Sequence, residues 1–226
     1  MRKGWEDFAG EEKSGDKSLG EVKGFPAGED EAESTPPVTV WARKLSASEA
    51  PRKGALSRLG RELLFLGVRR RFGLELREED LSRGAYGKPF VKDRPDIQFN
   101  ISHSGCWAVC ALGTAPLGID VQEHRPLHRQ ERLEEKILNE REREFCQRLP
   151  EEERRKFFYS RWARLEAWAK GTGRGLSGGF RRPEGTGSCQ EIFLEEGVSC
   201  VLWTEVPVRA EVKFLPEHKE MKGAEE

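Results

Sequence analysis

The sequence predicts a fold of the α+β or mixed α/β class, and three observations carry that expectation. Short stretches such as Val38–Leu45, Ile97–Ser102 and Leu117–Gln122 alternate in the period of two that a half-buried strand requires. Two other stretches, about Gly54–Arg71 and Glu151–Lys170, repeat apolar residues at three and four, the period of an amphipathic helix. The two kinds interleave without a regular strand–helix–strand rhythm, which is what that class requires.

Composition bounds the rest. The chain has 226 residues, room for one large domain or two small ones with a real core. With 36% hydrophobic and 35% charged residues it reads as polar and soluble, and no stretch reaches the apolar length of a membrane span. The opening "MRKGWEDFAGEEKSGDK" lacks the apolar centre of a signal peptide, so the expected location is the cytoplasm. A net charge of −1 argues against a dedicated nucleic-acid binder. The 5 cysteines have no metal-ligand spacing and are expected as buried thiols.

Taken in order, residues 1–36 are too polar to offset the entropy of ordering and are expected to be a disordered extension. Structure is expected from residue 37. A strand at Val38–Leu45 is followed by the first helix, with Leu56, Leu59, Leu63 and Leu66 as its stripe. Arg69, Arg70 and Arg71 fall in its last turn before Gly73, which fits cations at a helix C-terminus with a glycine cap better than a phosphate site. "AYGKPFVKDRPD" is turn-rich, and Pro89 biases Lys88 toward extended backbone. Strands are expected at "DIQFNIS", "CWAVCAL" and "LGIDVQ". A charged helix spans about Arg129–Leu149, and a second helix, about Glu151–Lys170, stops at "GTGRG". Beyond Gly179 the strand candidates are "CQEIFL", "VSCVLWTEV" and "RAEVKFL", before a polar tail at 217–226.

"FNISHSG" (Phe99–Gly105) places a histidine between two serines. Adjacent strand residues point to opposite faces, so Ser102 and His103 cannot form a nucleophile dyad. Asn100, Ser102, His103, Ser104 and Gly105 suit an oxyanion such as phosphate about as well as they suit a structural turn. In "LGIDVQ" the apolar Leu117, Ile119 and Val121 face the core. Gly118, Asp120 and Gln122 share the other face, where a carboxylate needs a hydrogen-bond partner or a cation. On the helix "FYSRWARLEAWAKG", Phe158, Trp162, Leu165 and Ala169 form the apolar stripe, and Glu166 and Lys170 lie at its border. Asp120 and Glu166 together are able to hold one Mg²⁺ whose shell substrate phosphates complete, with Lys88, His103 and Lys170 neutralising phosphate charge. "GTGRG" follows a helix rather than a strand and is read as a helix stop.

In order and spacing, "YGKPF", "FNISHSG", "LGIDVQ" and "WARLEAWAKGTGRGL" resemble the motif run of the 4′-phosphopantetheinyl transferases of the surfactin-synthetase-activating type, over roughly Val38 to Leu176. The resemblance implies two similar α/β subdomains in one chain (here 37–115 and 116–216) about a pseudo-twofold axis, with coenzyme A in the cleft between them. It implies Mg²⁺-dependent transfer of the phosphopantetheine arm to a serine of an acyl or peptidyl carrier protein, leaving 3′,5′-ADP. By position it implies Asp120, Gln122 and Glu166 at the metal, Glu166 also activating the carrier serine. Lys170 is implied on the coenzyme phosphates, and Lys88, Ser102 and His103 as further coenzyme contacts. Both halves of such a site lie in one chain, so a monomer is expected.

Three departures from the family pattern stand out. Gln122 replaces the usual glutamate and brings no charge, and Glu123 points to the other face. Leu165 replaces a cation before Glu166, and Leu56 stands where a basic residue is common, leaving Arg52, Lys53 or Arg58 as alternatives for the 3′-phosphate. The competing expectation is a homologue that binds coenzyme A or a carrier protein with weak or no turnover. The charged helix is read mainly as a solvated face.

Overall fold

The computed structural model describes residues 38–46, 52–84, 87–127, 130–175 and 187–216. The expectations for the extension 1–36 and the tail 217–226 lie outside them. The elements are β1 (Thr39–Lys44), α1 (Ala55–Phe72), β2 (Leu81–Arg83), β3 (Pro89–Val91), β4 (Gln98–Ser104), β5 (Trp107–Gly113), β6 (Leu117–Glu123), α2 (Gln130–Ile137), α3 (Glu140–Gln147), α4 (Glu151–Thr172), β7 (Ser188–Glu191), β8 (Val198–Thr204) and β9 (Glu211–Phe214). The mixed α+β class is borne out. Among the described residues no helix is long and apolar enough to cross a membrane.

Two sheets do most of the organising. One has the order β4-β5-β1-β9 and the other β6-β8-β7, while β2 and β3 form a separate ribbon. β9 pairs parallel to β1, Thr39 opposite Glu211, so the first sheet draws on both ends of the described chain. The other pairings are antiparallel.

Period-two alternation sets the layers. Val38, Val40 and Ala42 meet Val109, Ala111, Leu117, Ile119, Val121 and Leu202 in a core shared by the two sheets. On the far face of the first sheet, Trp41, Phe99, Cys110 and Leu112 pack under Leu59, Leu63, Leu64 and Val68 of α1. On the far face of the second, Val201 and Trp203 pack against Ala163, Ala167 and Trp168 of α4. Each sheet is thus covered by one long helix.

α1 ends as the sequence indicates. Gly73 is left-handed at φ 67°, and its N–H donates to Arg69 O at 3.0 Å. Arg70 lies over the Trp41 ring and Arg71 donates to Thr39 Oγ1, so the arginines finish the helix and pack against β1.

Two helix expectations need correction. The single charged helix is two, broken at Leu138–Asn139. The Asn139 side chain accepts from the Glu142 N–H at 2.9 Å and Glu142 reaches back to the Asn139 N–H at 3.0 Å, a capping box that starts α3. Nor is that segment only a solvated face: Glu134 is 2% exposed and accepts from Arg154 Nε at 2.9 Å and Nη2 at 2.6 Å. α4 is buried on more than one stripe, because Phe157, Phe158 and Tyr159 pack with Leu138 and Cys146 while Ala163, Ala167 and Trp168 meet the sheet.

β6 is an edge strand, and β4 covers its free edge with side chains. The N–H groups of Ile119, Val121 and Glu123 donate to Asn100 Oδ1 (2.9 Å), Ser102 Oγ (3.3 Å) and Ser104 Oγ (3.0 Å). Three alternate polar residues therefore satisfy an edge that would otherwise be left without partners. Asn100→Ala leaves the Ile119 N–H buried and unpaired, and the expected cost is about 1–3 kcal/mol in a denaturant melt. A loss within experimental error would remove this splice from the account.

Candidate active site

The splice brings β6 to β4 with Asp120 facing the last turns of α4. Asp120 is 1% exposed, and both its oxygens are engaged. Oδ1 accepts from Ser102 Oγ at 2.9 Å and from Lys170 Nζ at 2.5 Å. Oδ2 accepts from Gln122 Nε2 at 2.8 Å. Lys170 also donates to Ser102 Oγ at 3.0 Å, which closes a triangle of serine, aspartate and lysine.

Glu166 stands one turn before Lys170 on α4 and is half-buried. Burial pushes its carboxyl above the usual range and the Asp120 charge adds to the rise, while Lys170 and a hydrogen bond from Trp162 oppose it. Two carboxylates that raise each other's cost beside one ammonium form a charge cluster with a net deficit of cation. The donor set suits a hard divalent cation: two carboxylates and an amide oxygen that Gln122 presents if its side chain turns. Among the described residues no group of three or more His, Cys, Asp or Glu side chains is arranged as a metal site.

The other two expected phosphate contacts lie apart from this cluster. Lys88 Nζ donates to Gly171 O at 2.8 Å and Leu117 O at 3.3 Å, so it caps the end of α4 and ties it to the start of β6. Burial there lowers its pKa. Lys88 also borders a cavity of about 260 Å³ with Pro89, Phe90, Ile97, Phe99 and Gly173. His103 is exposed on the opposite face of β4 from Ser102, its Nε2 at 3.3 Å from Ser57 Oγ on the first turn of α1. The sequence reading missed Ser57, and nothing in its local pattern marks it.

Ser102, expected as a phosphate contact, is 6% exposed and bonded to Asp120, Lys170 and the Val121 N–H. Asn100 and Ser104, expected as candidate oxyanion donors, instead accept from backbone N–H groups of β6. Gly105 is left-handed at φ 61°, and the Glu123 carboxylate occupies the space over it. Glu123 pairs with Arg125 and takes no part in the Asp120 cluster. The GTGRG segment acts as a stop, with Gly173 left-handed at φ 69° after α4.

Comparison with known proteins finds relatives for this part of the chain. Residues 116–219, which hold β6, α4 and the Asp120 cluster apart from Ser102, match the model of the 4′-phosphopantetheinyl transferase superfamily. That part of the chain is similar to the superfamily, and the resemblance read from the motifs is borne out there. It is 33% identical over 119 residues to the 4′-phosphopantetheinyl transferase Sfp of Bacillus subtilis, covering 53% of this chain and 52% of that protein. It is 32% identical over 122 residues to the 4′-phosphopantetheinyl transferase psf-1 of Bacillus pumilus, covering 54% and 52%. With the 4′-phosphopantetheinyl transferase HetI of a Nostoc species it shares 38% identity over 95 residues, 40% of each protein. The chain spans about half the length of the first two of these curated relatives, and less of HetI.

Proposed function

We propose that the protein transfers the 4′-phosphopantetheine arm of coenzyme A to a serine hydroxyl of an acyl or peptidyl carrier protein, in a Mg²⁺-dependent reaction that releases 3′,5′-ADP. The observation that carries this reading is the cluster of Asp120, Ser102, Gln122 and Lys170, with Glu166 one turn away on α4. In this reading the coenzyme lies in a cleft between two subdomains related by a pseudo-twofold axis, and the enzyme is a cytoplasmic monomer.

The serine oxygen attacks the phosphorus nearer the pantetheine, the bond from that phosphorus to the bridging oxygen breaks, and 3′,5′-ADP leaves. Such a transfer asks for alignment and charge neutralisation more than for covalent chemistry by the protein. A Mg²⁺ ion held by Asp120, Glu166 and the Gln122 carbonyl supplies neutralisation of the phosphate oxygens when bound. Lys170 adds a movable positive charge at the same place. Glu166 takes the serine proton directly or through a water; a cation on the same carboxylate would weaken it as a base, which favours the route through water. Lys88 and His103 serve coenzyme phosphates at the edges of the site.

Quantifying 3′,5′-ADP by chromatography after mixing the protein with coenzyme A, Mg²⁺ and an apo carrier protein tests the reading. Release that needs both the carrier and Mg²⁺ supports it, and no release with carriers from fatty-acid, polyketide and peptide synthesis sinks it. Gln122 supports a second reading, a coenzyme A- or carrier-binding homologue with little turnover, because its amide brings no charge and its N–H already donates to an Asp120 oxygen. Gln122→Glu separates the two. It places a third carboxylate beside Asp120, so without divalent cation it should melt several degrees lower than wild type. With Mg²⁺ the expected half-saturating concentration for activity falls several-fold. An unchanged Mg²⁺ requirement would mean that this face is not at the metal.

A further inference from the structure

Resting on that reading of Asp120 as a cation ligand, we infer that Lys170 occupies the cation's place at Asp120 in the substrate-free protein, so that cation entry and Lys170 release are one coupled event. Three observations lead there. Oδ1 of Asp120 already holds two donors, the Ser102 hydroxyl and the Lys170 ammonium, which is its lone-pair capacity. Oδ2 faces the N–H side of the Gln122 amide, which in that orientation repels a cation. Lys170 also acts on Glu166, the other carboxylate of the set, and opposes the rise of its pKa.

A divalent ion bound to either Asp120 oxygen would sit within a few ångströms of that ammonium, beside a carboxylate that is itself buried. Like charges so placed exclude one another far more than they would at a surface. The two occupants are thus alternatives. Lys170 keeps a route out, since its side chain is 29% exposed against 2% for Asp120. When it leaves, its ammonium needs a new counter-charge, and an incoming polyphosphate supplies one. Cation and polyphosphate therefore bind with positive coupling through one side chain, by the reciprocity that any linked pair obeys. The chain alone holds a cation weakly, because the first ligand must displace an ion pair already made. Ser102 takes part as the fixed hydroxyl against which both Lys170 and Asp120 are set.

Two measurements on the full chain test this. The first is Mn²⁺ binding by electron paramagnetic resonance without coenzyme, for wild type and Lys170→Met. The expected result is weak binding by wild type and at least about tenfold tighter binding by the variant. Equal affinity overturns the exchange. The second needs no variant: amine-labelling of wild-type Lys170, followed residue by residue by mass spectrometry, with and without Mg²⁺. Mg²⁺ is expected to raise its labelling rate several-fold as the ammonium is freed. An unchanged or slower rate at saturating Mg²⁺ contradicts the inference even if removing a charge tightens Mn²⁺ binding. If neither protein binds Mn²⁺ at millimolar concentration, the cation site itself is wrong and the exchange falls with it.

Discussion

Glu166→Gln abolishes carrier modification while leaving the protein folded and, in EDTA at neutral pH, harder to melt. The first half follows from the base: removing a positioned proton acceptor costs roughly a hundred- to ten-thousand-fold in rate, and the loss of a cation ligand adds to it. The second half follows from the sign of the pKa shift. Burial and the Asp120 charge raise the folded-state pKa of Glu166 above its unfolded value. The native state therefore prefers the protonated carboxyl. Its contribution is fully present below the unfolded pKa and is lost as pH rises through the folded one. At neutral pH the ionised Glu166 is a burden on the fold that the neutral amide removes. The gain in melting temperature should shrink as pH falls through the ordinary glutamate range. Activity and melting curves from pH 4 to 8 in EDTA check both halves. Retained turnover would remove Glu166 from its role, and a variant less stable at neutral pH would contradict the charge reading of the cluster.

Gly118→Ala is expected to damage the fold itself. A Cβ on Gly118 would lie 2.1 Å from Ala167 O and 2.3 Å from Gly171 N. Both are backbone atoms of α4 and cannot swing aside. Gly171 is equally constrained from the other side, where a Cβ would meet the Trp203 ring at 2.1 Å. This close approach lets Lys170 reach Asp120, since any spacer between β6 and α4 lengthens a 2.5 Å ion pair. Overpacking of this kind costs about 3 kcal/mol, at the upper end of the usual range because the clash is with backbone. For a chain of this size that lowers the melting temperature by roughly 6–12 °C. The variant should also lose the Lys170–Asp120 pairing, read as faster amine-labelling of Lys170 without Mg²⁺. A melting point within a degree of wild type would mean that α4 and β6 are not in contact at Gly118.

Much of the fold was legible because burial follows period. Leu117, Ile119 and Val121 face the core, and Asp120 with Gln122 share the other side, as alternation requires. The arginine triplet and glycine at the end of α1 behave as a cap. What was not legible depends on partners far away in the chain. Nothing in "RAEVKFL" says that Glu211–Phe214 joins Thr39–Lys44 in parallel. Asn100, Ser102 and Ser104 alternate as they would for an anion site, yet they bond backbone N–H groups of β6; both uses demand the same short polar side chains. Nothing local to Gly118 says that the backbone of α4 fills the space over it. The break between α2 and α3 is different, because "NERE" spells a capping box and the local signal was there to be used.

For the site, the resemblance indicated which residues matter, and the structure gives them neighbours. Asp120, Ser102, Gln122 and Lys170 are joined by hydrogen bonds, while His103 and Lys88 stand apart, engaged with Ser57 and with the end of α4. Spacing along a strand told that Ser102 and His103 face opposite ways. It could not tell that Ser102 is enclosed by the carboxylate and ammonium it was expected to assist.

The most direct measurement is the intact mass of an apo carrier protein after incubation with this protein, coenzyme A and Mg²⁺, beside a parallel sample in EDTA. A gain of one phosphopantetheine per carrier, absent in EDTA and absent with Glu166→Gln, is the predicted result. An unmodified carrier in every sample, from fatty-acid, polyketide and peptide synthesis alike, contradicts the account and leaves a protein that holds the coenzyme or the carrier without joining them.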